Sequence, residues 1–485
     1  MIMKKIVILL VAALTLVGVG GVSAQSRNSY FMEGSYFRND LNPALAPTRG
    51  YLALPGMSGV GLNLSTNFLS IDNFLYQRDG ETVTALHGKV SADEFLGKLP
   101  SVGQLAIDTK INVLGVGFWA KKMYWTFGLN ANVSADMALS TDLFKVLKTL
   151  GNGTFNLGNT ALEANAYLDA YLGTSFRVHR NVSLGLKAKF LVGVATLDAK
   201  FDNLSATVAP DAVAANMLGT LRANGILLDN SAVEEGQQIP FGELFNFSDV
   251  NYLLNNAKNF GFAFDVGTEV RLFNDHLKIS AALIDFGFIK WTTNQYVEGS
   301  VKGDFGFEGL NFESSEVETL GKFEMVATDI GAAKEYNTQL NFSVNAGLEY
   351  NFLRNHFALG LLSHTKFCNT MTYTELTASL NIRPTNWITA TVSHTFLNGN
   401  RPGVFGAALN IHPAGLNIFV GMDYIDPNLV VGPKVGNTNL LLPRYQKSLN
   451  LYAGVGFNFG RPEFLKREAA DAKAAAKAKR YARRR

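Results

Sequence analysis

The run Gln339-Leu340-Asn341-Phe342-Ser343-Val344-Asn345-Ala346-Gly347-Leu348-Glu349-Tyr350-Asn351-Phe352 has a period of two. Leu340, Phe342, Val344, Ala346, Leu348 and Tyr350 alternate with Asn341, Ser343, Asn345, Gly347, Glu349 and Asn351. Successive side chains of an extended chain point to opposite faces, so the run has one apolar face and one small, polar face. Residues 448–459 repeat the pattern, with Leu449, Leu451, Ala453, Val455, Phe457 and Phe459 on the apolar side.

Working outward, the same register recurs at 162–176, 182–194, 260–272, 376–382 and 416–424, and more roughly at 125–133, 388–396 and 405–411. Residues 105–118 alternate poorly, and 277–291 slips phase near Ile284, as a β-bulge would cause. With 59–70 and 356–367 the segments number fourteen. Their connectors are of two kinds. Short turns fall at 120–122, 178–181, 273–276, 353–355, 383–386 and 412–415; the others are longer on the whole, up to about 59 and 45 residues. An outer-membrane barrel has short periplasmic turns, longer outer loops and an even strand count. Fourteen strands with both ends in the periplasm need six turns and seven loops, which is the tally here. A secreted sandwich also alternates. However, these segments exceed the usual 5–6 residues of a strand, and Phe352, Tyr350, Trp125, Trp291, Trp387 and Phe459 gather near their ends as an interface girdle would. The expected fold is an all-β transmembrane protein, a single antiparallel barrel of about fourteen strands.

The totals agree. Of 485 residues 47% are hydrophobic and only 17% charged, below the roughly 25% of soluble proteins. One cysteine, Cys368, excludes an intrachain disulfide and a thiolate metal cluster. The net charge of +3 hides an asymmetry: residues 461–485 carry ten Lys/Arg against three acids, a local +7, leaving −4 elsewhere. An acidic body with a basic tail excludes a nucleic-acid-binding body. Residues 1–24 read as a signal peptide, with Lys4 and Lys5, an apolar run from Ile6, and Val22-Ser23-Ala24 as cleavage site. No later apolar run reaches the ~18 residues of a membrane helix. The division is 1–24 signal peptide, 25–58 N-terminal hatch, 59–460 barrel and 461–485 basic periplasmic tail, in the outer membrane of a Gram-negative bacterium.

Residues 25–58 do not alternate and hold Pro43, Pro47 and Pro55. Asn42-Pro43-Ala44 lies there, before the first strand. By this motif and its place the chain resembles the FadL-type long-chain fatty-acid transporter clan, whose fourteen-stranded barrels carry Asn-Pro-Ala in an N-terminal hatch. Gly151-Asn152-Gly153-Thr154-Phe155 and the strand near 167–173 resemble an uncharacterised Bacteroidota branch of that clan. The resemblance implies a plugged barrel; the residues alone also allow a plain turn at Asn42-Pro43.

The outer loops hold short helix candidates. Ser91-x-x-Glu94 is a capping pattern before Phe95, Leu96 and Leu99. Thr141 and Asp142 precede Leu143, Phe144, Leu147 and Leu150; Ser248 and Asp249 precede Tyr252, Leu253 and Leu254. Phe95, Leu143, Phe144, Leu147 and Leu253 are candidates for capturing an apolar small molecule, with packing of the loops on themselves as the alternative. With apolar faces toward lipid, Glu163, Asp169, Lys187, Lys189, Asp265, Glu269, Arg271, Glu349, Glu375 and Asp423 turn inward. Mixed signs suit ion pairs across the lumen or to a plug, not a single-sign filter. His364 turns inward and His394 outward, so they share no metal and no catalysis. No Ser/His/acid set shares a face, and neither an enzyme nor a cofactor is expected. The tail lacks an apolar stripe and is either solvated or rests on anionic polymer. Two functions follow: a passive, FadL-like channel for small hydrophobic molecules, or a barrel that scaffolds a protein complex through long loops and tail, resembling PorV-type secretion partners.

Overall fold

The computed structural model describes residues 27–54, 60–79, 81–149, 153–209, 212–226, 228, 233–237, 239, 258–292, 296–306, 320–330, 335–397, 403–425, 429–435, 438–443, 448–462 and 464. Fourteen antiparallel strands close into a barrel. They are β1 (Gly50–Ala53, resuming at Val60–Thr66), β2 (Val102–Ala120), β3 (Met123–Ser140), β4 (Gly153–His179), β5 (Val182–Ala209), β6 (Phe260–Leu272) and β7 (Leu277–Trp291). Then follow β8 (Tyr336–Gln339, resuming at Phe342–Phe352), β9 (Phe357–Phe367), β10 (Thr372–Thr385), β11 (Ile388–Leu397), β12 (Val404–Ile411), β13 (Asn417–Ile425) and β14 (Ser448–Phe459). Closure is made by β1, which pairs with β14 through Gly50↔Phe459 and Val60↔Ala453, and with β2 through Tyr51↔Gly117. A closed ladder leaves no edge strand to face hydrocarbon, where each unpaired backbone group costs several kcal/mol.

The two faces sort as the alternation requires. Phe262 (61% exposed), Leu451, Leu359 and Val392 lie on the outside, while Asn345, Asn381, Asn410 and Asn450 are fully buried inside. An apolar band around a closed barrel makes this an outer-membrane-type protein. The slip in β7 is a bulge: the register with β6 shifts between Phe264 and Val266, and Asp285 takes φ 61°.

Two features differ from the sequence reading. The wall begins at Gly50, inside the segment assigned to the hatch, because four residues are too few to show a period. The long loops also hold strands. Beyond Gly193 the strand β5 leaves β6 and pairs with Ala212–Gly225, which pairs with Tyr296–Gly306, which pairs with Leu320–Ile330. A sheet thus continues past the barrel on its loop side.

Candidate functional site

Residues 27–49 fold back into the barrel. Tyr30, Phe31, Met32, Tyr36, Phe37 and Leu41 are all buried there. Ring stacking organises the segment: Tyr36 lies 4.3 Å from Phe37 and 4.3 Å from Tyr51 of β1, and Phe37 lies 5.0 Å from Phe419 of β13. A short helix, Arg38–Leu41, ends at Asn42, which has an extended backbone. The Asn42 side chain then closes an Asx turn, since its Oδ1 accepts from the Ala44 amide at 2.9 Å. Its Nδ2 donates to Tyr30 Oη (3.1 Å), to the Thr268 carbonyl of β6 (3.2 Å) and to the Ala281 carbonyl of β7 (3.3 Å). Asn42-Pro43-Ala44 is therefore a turn and also the point where this plug meets the wall.

The wall makes room for it with glycine. A Cβ on Gly185 of β5 would stand 2.0 Å from the Pro43 carbonyl carbon, and one on Gly267 of β6 2.0 Å from Asn42 Oδ1. The small residues on the inward faces are thus the seat of the plug. Backbone groups of the plug are bonded by the wall as well: Asn345 donates to the Leu41 carbonyl (2.7 Å), Asn417 to that of Gly34 (2.9 Å) and Arg383 to that of Phe31 (2.8 Å).

All the expected lumen charges are on the lumen face, and each has a partner. Lys187 binds Asp40 of the plug at 2.9 Å, and Lys110 approaches the same carboxylate at 3.5 Å. Lys189 bridges Asp265 (2.8 Å) and Asp285. Glu269 takes Arg271 at 2.8 Å. Glu349 pairs with Arg383 and with Lys278 (3.0 Å), which also reaches Glu33 of the plug at 2.5 Å. Asp169 accepts from Asn130 (2.9 Å) and Asn132 (2.6 Å), and Glu163 from Asn165 (3.0 Å) and Asn369 (2.7 Å). At the N-terminal end Arg27 Nε lies 2.5 Å from Glu375, while Asp423 accepts the Arg27 amide at 2.9 Å and the Tyr452 hydroxyl at 2.8 Å. Glu375 and Asp423 stand near the loop-side ends of β10 and β13. Arg27, two residues past the expected mature start, therefore lies inside the lumen near its loop-side end.

Sequence reasoning missed an apolar group on the inner wall. Leu191, Ala263, Ile289, Trp291 and Leu340 cluster there, with Tyr167 and Tyr336 packed against them. Trp291 was expected in the lipid-facing girdle; it is fully buried, and its indole donates to Thr338 at 2.8 Å. The bulge at Asp285 is the cause, since one extra residue carries Ile289 and Trp291 to the lumen face. The phase slip near Ile284 was the signal, and it had to be carried through to the end of the strand. This cluster sits at the loop side of Lys189, Asp265 and Asp285.

Of the loop candidates, Phe95 and Phe144 pack into a core within the loops. The helix Ala92–Leu96 starts at Ser91, whose hydroxyl accepts the Glu94 amide at 3.1 Å; Glu94 turns away to bind Arg78. Phe95 is fully buried among Tyr76, Val83, Ala85 and Val90. Phe144, on the helix Asp142–Thr149, closes this core 6.0 Å from Phe95. Phe95 thus presents no surface in this conformation, and Leu143 is half-buried. Leu253, the side chain of Leu147, residues 1–26 and most of the basic tail lie outside the described residues. Of the tail, Phe464 packs on Trp119 at 5.3 Å, and the Trp119 indole donates to the Pro47 carbonyl of the plug at 3.1 Å.

His364 is buried and bonds Asn345 at 2.6 Å, whereas His394 contacts Phe396 and Phe405 on the outer face. Among the described residues no three of His, Cys, Asp and Glu are gathered as a metal site.

A comparison with curated proteins finds no match. Several solved barrels are similar in fold. The toluene transporter TbuX of Ralstonia pickettii is 8% identical, over 91% of this chain and 96% of that chain, with a TM-score of 0.40. A FadL homologue of Pseudomonas aeruginosa is 10% identical over 90% and 98%, with a TM-score of 0.37. The translocator domain of the autotransporter NalP from Neisseria meningitidis also matches, 7% identical over 85% and 90% with a TM-score of 0.30. The likeness thus reports barrel shape and not cargo. The profile of the family of unknown function DUF5723 matches residues 43–423, which reach from the plug turn at Pro43 to the anchor at Asp423, and this chain belongs to that family.

Proposed function

We propose that this barrel is a passive outer-membrane channel for small hydrophobic molecules, gated by the plug around Asn42, Pro43 and Ala44. The supporting observation is the apolar group on the inner wall. Tyr167, Leu191, Ile289, Trp291 and Leu340 form a greasy cluster at the loop side of the plug's ion-paired seat, closed in this conformation and opened to a solute on this reading. The seat combines stacked rings with hydrogen bonds and ion pairs, and water entering the lumen can take over these polar contacts when the plug leaves as a unit. On this reading the loop core around Phe95, Leu143, Phe144, Leu147 and Leu253 opens to admit the solute, both mature ends emerge in the periplasm when the plug is released, and the leader 1–24 directs export of a Gram-negative protein. No catalytic step is part of the reading.

Uptake by whole cells tests it. Cells lacking the protein are complemented with the wild type, with Trp291→Asp, or with Leu143→Ser, Phe144→Ser and Leu147→Ser together, and given a radiolabelled apolar hydrocarbon. Loss of uptake in both variants, with the barrel still folded on gels, is expected. Wild-type uptake in Trp291→Asp rejects the inner cluster as a station, and wild-type uptake in the triple variant rejects capture by the loops.

A second reading rests on the sheet that continues past the barrel. Leu320–Ile330 pairs on one side only among the described residues, and such an edge suits a protein partner. A stoichiometric protein that co-purifies only when this hairpin is present would favour a scaffold.

A further inference from the structure

The two most exposed large apolar side chains of the described barrel are Phe273 (74%) and Leu353 (65%), and neither belongs to the lipid-facing band. They occupy the same place in two neighbouring short turns. Leu272-Phe273-Asn274-Asp275-His276-Leu277 and Phe352-Leu353-Arg354-Asn355-His356-Phe357 are built alike, each with a four-residue loop closed by Leu272↔Leu277 or Phe352↔Phe357. In both loops three successive residues are left-handed: φ is 51°, 57° and 67° at 273–275, and 49°, 60° and 69° at 353–355. In both, the histidine amide returns to the carbonyl of the first residue. Asn and Asp tolerate that backbone; a bulky Phe or Leu does not. Glycine would adopt it freely, so twice the fold keeps a strained position occupied by a large apolar side chain that touches little of the protein.

The turns are also tied together. The Arg271 amide donates to Asn181, Asn351 to His276, Arg383 to His356 and His412 to Trp387, each at 2.7 Å. Val178 (54%) and Trp387 (45%) add exposed apolar groups on the flanking turns. Lys121, Lys122, Arg180 and Arg354 are exposed on the same end, where Asp275 is the one carboxylate among the described turn residues.

We propose that this short-turn rim is a docking surface for anionic phospholipid headgroups of the inner leaflet, with Phe273 and Leu353 inserted at the headgroup boundary and the four cations above them. Apolar knobs beside cations on a rigid ring match a surface that is apolar below and negative above. A neutral or cationic surface would leave those cations unanswered. The inference is independent of what the lumen carries.

The full-length protein is reconstituted into vesicles of phosphatidylcholine and phosphatidylglycerol in roughly equal amounts, extracted in mild detergent, and its retained lipids are counted by native mass spectrometry. The wild type is expected to keep phosphatidylglycerol in clear preference. Arg180→Gln and Arg354→Gln should each lower that preference by about fivefold. Phe273→Gly with Leu353→Gly should lower total retention by about tenfold and leave heat-modified gel migration the same or more resistant, because glycine relieves the backbone. A purely structural role predicts the opposite pair of results, less resistance with unchanged retention. Equal retention of both lipids by the wild type, or unchanged retention in the glycine variant, overturns the proposal. So does a co-purifying protein that takes the rim in place of lipid.

Discussion

The plug seat and the loop core are both built around aromatic rings, but they are held differently. In the loop core Phe95, Tyr76 and Val83 exclude water and are local in sequence, all within 71–99 apart from Phe144. In the seat each ring cluster is ringed by charges and amides that reach across the chain: Arg27 to Asp423, Asp40 to Lys187, Glu33 to Lys278. The loop core can melt without disturbing the wall. The seat cannot lose one charge without stranding another in the lumen.

The largest effect should come from the seat. Glu349→Ala leaves Arg383 and Lys278 buried without their shared carboxylate, a loss of about 3–5 kcal/mol. The expected outcome is a closed barrel whose plug is cut by trypsin at Arg38 and whose conductance in planar bilayers rises; a protected plug would show that the rings alone hold it. Next is Phe95→Ala, at about 3 kcal/mol for an emptied core site. It should expose residues 71–99 to protease while the plug stays protected, and joint loss of both would erase the contrast. Gly185→Val should cost about 1–3 kcal/mol by pressing on Pro43, seen as partial trypsin cleavage within the plug and none in the loops. Set apart from these substitutions is a pH effect at His412, the first residue beyond β12, whose ring lies against Gly34 of the plug. Burial, aided by the charge of Arg49, holds its folded value down at about 4, below the usual 6.5. The unfolded chain therefore takes up the proton first, so stabilisation present above about 6.5 is lost as the pH falls toward about 4. Trypsin sensitivity of the plug should rise over that window in the wild type and stay flat in His412→Gln.

Much of the wall was legible because its signal is local. Phe342 to Tyr350 alternate within one strand, and a one-residue slip would turn every charge to lipid. That constraint placed Lys187, Lys189, Asp265 and Glu349 inward without any knowledge of their partners. The same logic failed where a local irregularity intervened: four residues at Gly50–Ala53 are too short for a period, and the bulge at Asp285 reversed Trp291.

By itself, then, the sequence determined which side chains of the regular strands face lipid and which face the lumen, how many strands close the barrel and which connectors are turns, since all of these follow from a period of two and from connector length. Only the tertiary structure decided what the lumen contains. Asn42 meets Thr268 and Ala281, and Pro43 meets Gly185, because the closed wall brings together positions far apart in the chain. Alternation is a property of neighbours; ion pairing and glycine seats are properties of closure, and no local pattern encodes them.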